Sequence, residues 1–231
     1  MAEPSKLPIT KKGSWRRMNA HNRTSPDNRK KSKLLSEKEA ADRAKRGVNV
    51  GLNPKEIATL EGLEQRNSTR KTEQMNIVDE NGNVIFSKNG TKGSVKIHPY
   101  EGVKMENKVV THNHPGGDFG TGMGARIGVA VNGHDVSTAM IYNAKEIRAS
   151  TEGYVFSVKR PKGGWRGNPS SVAKDFDRAF SASKKEALKY AAKAHGEHQY
   201  VRLGRANASI LNSIMKQLSK KYGFIYTRKK R

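Results

Sequence analysis

Short stretches of alternating or uninterrupted apolar residues occupy the middle of the chain, and longer helical stripes occupy its C-terminal third. Met75–Val78 (MNIV) predicts a strand, Asp79-Glu80-Asn81-Gly82 a hairpin turn, and Asn83–Phe86 (NVIF) its return strand. Lys88-Asn89-Gly90 predicts a second turn, and Ser94–Ile97 (SVKI) alternates as a half-buried strand does. Val109-Val110-Thr111 is short and β-branched, as suits a central strand, and it runs straight into His112-Asn113-His114-Pro115-Gly116-Gly117. Gly120–Val131 is glycine-rich and reads as a loop or ribbon. His134–Asn143 reads as a helix, followed by strands at Lys145–Ser150 and Tyr154–Lys159. Upstream, Asn53-Pro54 predicts the capped start of a short amphipathic helix reaching Leu63. Downstream, Ser171–His195 and Asn207–Tyr222 each carry an apolar stripe and predict two docked helices.

Residues 1–46 lack any such pattern. They are polar and basic, with Trp15 as the one large anchor, and are expected to be disordered apart from a short helix over Glu37–Arg46. The expected organisation is a basic arm over 1–50, a compact domain over 51–165 and a basic helical extension over 166–231. Charge follows the same division. Residues 1–50 hold 14 Lys+Arg against five acids and residues 159–231 hold 19 against four, whereas 51–158 hold 12 of each. The whole net charge of +24 therefore sits in the flanks, which points to a polyanionic partner such as nucleic acid. The chain has no Cys, which excludes disulfides, thiol catalysis and cysteine-ligated zinc. No apolar run approaches the roughly 20 residues that span a bilayer, and the N-terminus shows no signal-peptide pattern. A soluble protein without a membrane role is expected.

Four of the seven histidines lie between positions 98 and 134. Alternation sends His112 and His114 to the same side of a strand end, so both could reach one metal ion. A catalytic zinc takes three protein ligands and keeps one open position beside a base. Asp135, at the start of the next helix, is the candidate third ligand, with Asp118 in the turn as its rival. Glu73, ahead of the first strand, is the candidate base, with Glu80 and Glu101 as alternatives. His195-Gly196-Glu197-His198 reads as a helix end, Lys162–Gly167 as a turn that packs Trp165 inward, and Arg228–Arg231 as a solvated charge run that could also grip phosphates.

At these residues the chain resembles a known family. Val109–Gly117 (VVTHNHPGG) is similar to the core of the JAB/MPN (JAMM) metalloproteases, and RadC-like and phage-associated JAB domains are the nearest branch. Gly90-Thr91, Ser94-Val95 and His98-Pro99 resemble the RadC-like lead-in, and Lys145–Arg148 and Phe156–Pro161 resemble the strand pair of phage-encoded members. The resemblance covers about Glu73 to Trp165. It implies an α/β fold with a JAB/MPN-like (cytidine-deaminase-like) three-layer core, in a phage- or prophage-derived protein of cytoplasmic or virion-associated location. It assigns His112, His114 and Asp135 as ligands of Zn2+ and Glu73 as the base that deprotonates a metal-activated water for attack on a peptide or isopeptide carbonyl. The substrate would then be a peptide or protein. Two positions depart from the family pattern. The family's Ser-x-x-Asp follows the second histidine by about eight residues, where this chain has Gly122 and Ala125, so reaching Asp135 requires an insertion over Gly120–Val131. Asn132 then stands in the serine's place and would assist the oxyanion through its amide. A catalytically degenerate, nucleic-acid-binding protein is the competing expectation, and a nuclease using the same metal is a third.

Overall fold

The computed structural model describes residues 51–115, 130–192 and 197–231. The expectations for the arm 1–46, for Asp118, for most of Gly120–Val131 and for His195-Gly196 lie outside the described residues. The chain forms a mixed α/β structure around one six-stranded sheet. Helix α1 (Pro54–Asn67) leads into the hairpin of β1 (Gln74–Val78) and β2 (Val84–Asn89). A short helix α2 (Pro99–Gly102) and a 3-10 turn precede β3 (Val109–Asn113), and α3 (Gly133–Ile141) crosses to β4 (Glu146–Ser150). β5 (Tyr154–Lys159), the long helices α4 (Pro169–Ala192) and α5 (Glu197–Tyr222), and β6 (Ile225–Lys230) complete the order. Strand order is β2-β1-β3-β4-β5-β6, antiparallel throughout except for the parallel pair β3/β4 that α3 bridges.

Alternation along each strand builds two different faces. One face presents Met75, Ile77, Val110, Ile147, Ala149, Phe156 and Val158 to α3, α4 and α5, which bury Val136, Phe176, Ile214 and Met215 against it. The other face receives α1 through Leu60 and Leu63, packed on Val78 and Val109. The helices thus cover the sheet from both sides. Segment 166–231, read as a helical extension, supplies two helices and the sixth strand to this same core. Trp165 packs inward as expected, its indole N–H donating to the Ala144 carbonyl at 3.0 Å.

Three local expectations are corrected. Lys88 and Asn89, expected in a turn, are the last residues of β2 and pair with Met75 and Gln74. Ser94–Ile97 is not a strand: Thr91 N–H donates to the Ser94 carbonyl in a tight turn, and Val95 and Ile97 alternate because both pack on the core, with no neighbouring strand to pair. Ile225–Lys230, read in part as a solvated tail, is an edge strand paired along its length with β5. No helix among the described residues is long and apolar enough to cross a membrane.

Candidate metal centre

The His-x-His pair leaves the sheet at the C-terminal end of β3. Val110 and His112 face the α3 layer, whereas Thr111 and Asn113 face α1. His114 lies one residue past the strand, and its N–H still donates to the Ser150 carbonyl (2.9 Å), which preserves the alternation. The two imidazoles are buried and meet through Nε2 atoms 2.9 Å apart.

Asp135 is brought to them by the start of α3. Asn132 caps the helix: its Oδ1 accepts from the N–H groups of His134 (2.8 Å) and Asp135 (3.0 Å). The Asp135 carboxylate closes the box by accepting from the Asn132 N–H at Oδ2 (2.8 Å). Gly133 lets this turn sit against α4, since a Cβ there would lie 2.3 Å from the Cβ of Phe176. In that position Asp135 Oδ1 is 3.5 Å from His112 Nε2 and Oδ2 is 3.8 Å from His114 Nε2. The three ligand atoms lie within 4.8 Å of one another.

This donor set fits a metal ion. Ligand atoms about 2.0 Å from a tetrahedral ion stand about 3.3 Å apart; the two Nε2 atoms are 2.9 Å apart, and each faces a different Asp135 oxygen, at 3.5 and 3.8 Å. Burial drives the His112 imidazole down to about 4, against the pull of Asp135, so the ring is neutral at pH 7 and keeps a lone pair for a ligand. A hydrogen bond to the backbone of Arg148 holds the ring from behind. His98 and His134 do not join: His98 stacks on Tyr100, and His134 is exposed with Nε2 3.0 Å from Asp177 Oδ1.

Glu73 lines the same pocket as His112 and Asp135, against Met75, Val95 and Ile97. Its backbone is fixed on two sides. The N–H donates to Thr91 O and the carbonyl accepts from Gly90 N–H, both at 2.8 Å. From β3, the Asn113 side chain accepts from Gln74 N–H (2.7 Å) and donates to the Thr72 carbonyl (3.0 Å), gripping the segment that carries Glu73. Burial raises the Glu73 carboxyl above its ordinary value, with His114 opposing the rise and Asp135 adding to it. The alternative glutamates are engaged elsewhere. Glu80 pairs with Lys108 at the opposite end of β3, and Glu101 bonds Lys88 (2.7 Å) and the His98 N–H (2.8 Å). The structure therefore gathers Glu73, His112, His114 and Asp135, with Asn132 as the cap beneath Asp135.

Sequence reading missed Asn113, whose partners are backbone groups about 40 residues upstream. It also missed a polar cluster behind the centre. Arg148 is fully buried on the α1 face, its guanidinium donating to both oxygens of Glu64 (2.6 and 3.0 Å) and to Glu146 (3.1 Å). Comparison with family models, with curated proteins and with solved structures returned no match.

Proposed function

We propose that this chain is a JAB/MPN-like, zinc-dependent hydrolase of peptide or isopeptide bonds. The observation that carries this reading is the convergence of two buried imidazoles and one carboxylate within 4.8 Å of one another, with a second carboxylate, raised above its ordinary value by burial, lining the same pocket. The order of these residues along the chain supports it: a glutamate, a β-hairpin, His-x-His-Pro at a strand end, then an aspartate in the first turn of a helix.

His112, His114 and Asp135 would hold the ion, and an imidazole–imidazole–carboxylate set suits zinc. Zinc bound there acidifies water and polarises a carbonyl. Glu73 takes the water's proton and passes it to the leaving amine, a task favoured by a carboxyl raised toward neutral pH. Asn132 has committed its Oδ1 to the helix cap, so its Nδ2–H is the group left to meet negative charge developing on the substrate carbonyl.

Metal analysis tests the site and a glutamate variant tests the chemistry. Purified wild type should carry close to one zinc per chain, and His112→Ala/His114→Ala should carry none. Glu73→Gln should keep the zinc and lose about 100-fold or more of peptide or isopeptide cleavage. Zinc retained by the double histidine variant would overturn the site, and full activity in Glu73→Gln would overturn the base. The commitment of Asn132 to capping, where the family has serine, favours a second reading in which the metal is held without turnover. That reading expects zinc in both wild type and Glu73→Gln and cleavage in neither.

A further inference from the structure

The sheet register aligns the candidate centre with a cationic strip on the far edge. His112 pairs with Ala149, Ala149 with Phe156, and Phe156 with Arg228, one row crossing four strands. Directly paired residues share a face, so Arg228 lies on the face of His112, three strands or about 14 Å away. In the next row outward Tyr154 pairs with Lys230, at the end of the sheet where His114 stands. Arg228 and Lys230 are exposed, and the Arg228 guanidinium sits over the Tyr154 ring, 5.0 Å from its centroid.

The two faces of β6 treat their cations differently. On the α1 face, Lys229 Nζ lies 3.8 Å from Glu61, and Arg231 donates to the backbone carbonyls of Glu64 (3.1 Å) and Thr151 (3.3 Å). On the face of the centre, Arg228 is matched with an aromatic ring instead of an acid. Glu152, in the turn between β4 and β5, is the acid that adjoins this row, and on α4 Asp175 accepts from Lys221 and Tyr222 and Asp177 bonds His134. Lysines on an edge strand also deter sheet-to-sheet aggregation, but that role requires neither the aromatic partner nor the shared face. Helix α4 adds to the surface. Asp177 bonds His134 at the start of α3, and α4 continues from there to Ala192 with Lys185 exposed.

We propose that single-stranded nucleic acid binds along this strip, with Arg228 and Lys230 holding phosphates and Tyr154, under Arg228, receiving a base. Cations that track a backbone beside an aromatic ring are what a single strand requires. The strip stands whether or not the centre holds zinc.

Fluorescence anisotropy of the full chain with a fluorescein-labelled 15-nucleotide oligothymidine, over a salt series, tests it. Arg228→Glu/Lys230→Glu should weaken binding about tenfold or more and flatten the slope of log K against log salt by about 1.4, the value for two phosphates on a single strand. Lys55→Glu/Arg66→Glu, the same charge reversal on exposed positions of α1, should stay within about threefold of wild type. Tyr154→Leu should cost at least about fivefold. Far-UV circular dichroism and zinc content unchanged from wild type would show that each variant is folded. Binding by Arg228→Glu/Lys230→Glu within twofold of wild type, or an equal loss in the α1 variant, overturns the proposal. An unchanged Tyr154→Leu overturns the base contact.

Discussion

Asn132 serves a helix and the candidate metal centre with one set of hydrogen bonds. Its side chain satisfies two N–H groups of the first turn of α3, while its backbone N–H orients the Asp135 carboxylate. Asn132→Ala removes the first function and leaves the second, so it should cost about 1 kcal/mol of stability. Zinc stoichiometry should be kept, with affinity reduced by about tenfold or less as the turn loosens. Urea unfolding and chelator competition measure the two effects separately. A full loss of zinc would show that the cap, rather than the backbone bond, places Asp135. The candidate ligands were legible because a period-two strand and a helix start are local patterns, and His112, His114 and Asp135 sit on them. Asn113 was not legible. It reads as the spacer of His-x-His, and its hold on the Thr72 and Gln74 backbone exists only once β1 and β3 are paired. Asn113→Ala should therefore keep zinc yet lower turnover through a displaced Glu73. An unchanged rate would show that Gly90 and Thr91 suffice to fix that residue.

Elements were legible where their pattern is set by burial on one face, and illegible where a polar residue is buried by a partner. The pattern places β1, β3, β4, β5 and the four longer helices to within a few residues at most ends, although α5 begins ten residues before its apolar stripe. β6 escaped because Arg228, Lys229 and Lys230 look like a tail, and only pairing with β5 makes them a strand. Glu64 and Arg148 escaped for a related reason. Composition treats them as surface residues, yet they join α1 to the sheet with side chains almost wholly buried. Glu64→Leu would remove the carboxylate that accepts twice from the buried Arg148 guanidinium, and should destabilise the fold by about 3–5 kcal/mol. Glu64→Leu/Arg148→Met should recover part of that loss, and chemical denaturation of both variants checks it. Between α4 and α5, Asp175 accepts from Lys221 Nζ and the Tyr222 hydroxyl, each at 2.5 Å. The Lys221 bond is the largest cause holding its carboxyl below the ordinary value, followed by that of Tyr222. A depressed carboxylate contributes stability that is present above the ordinary value near 3.8 and lost as pH falls through its own lower value. The helix pair of Asp175→Asn should accordingly lose less helicity than wild type on acidification below pH 4, as read by circular dichroism.

The candidate centre also links separate parts of the molecule. Two ligands end a central strand, the third opens α3, and α3 is packed on α4 through Gly133 and Phe176. An ion held by all three would tie the middle of the sheet to the helical layer that α4 and α5 complete. An unfolded chain offers the same side chains with no fixed geometry, so binding should favour the native state. At zinc 100-fold above its dissociation constant the gain is about 2.7 kcal/mol. In a chain of this length that corresponds to a rise in Tm of about 5–10 °C. Thermal unfolding followed at 222 nm, with zinc and then with excess chelator, should show the rise and its reversal. His112→Ala/His114→Ala should show neither, because Asp135 alone cannot bridge the two layers. A shift that persists in that variant would place the stabilising ion elsewhere and remove the link between the sheet end and α3. Arg228→Glu/Lys230→Glu should show the full zinc shift, since those side chains share the face of the centre but none of its ligands. Independence of the two responses is the whole-molecule signature expected of a candidate metal centre at the middle of a sheet row and a proposed polyanion strip at its edge.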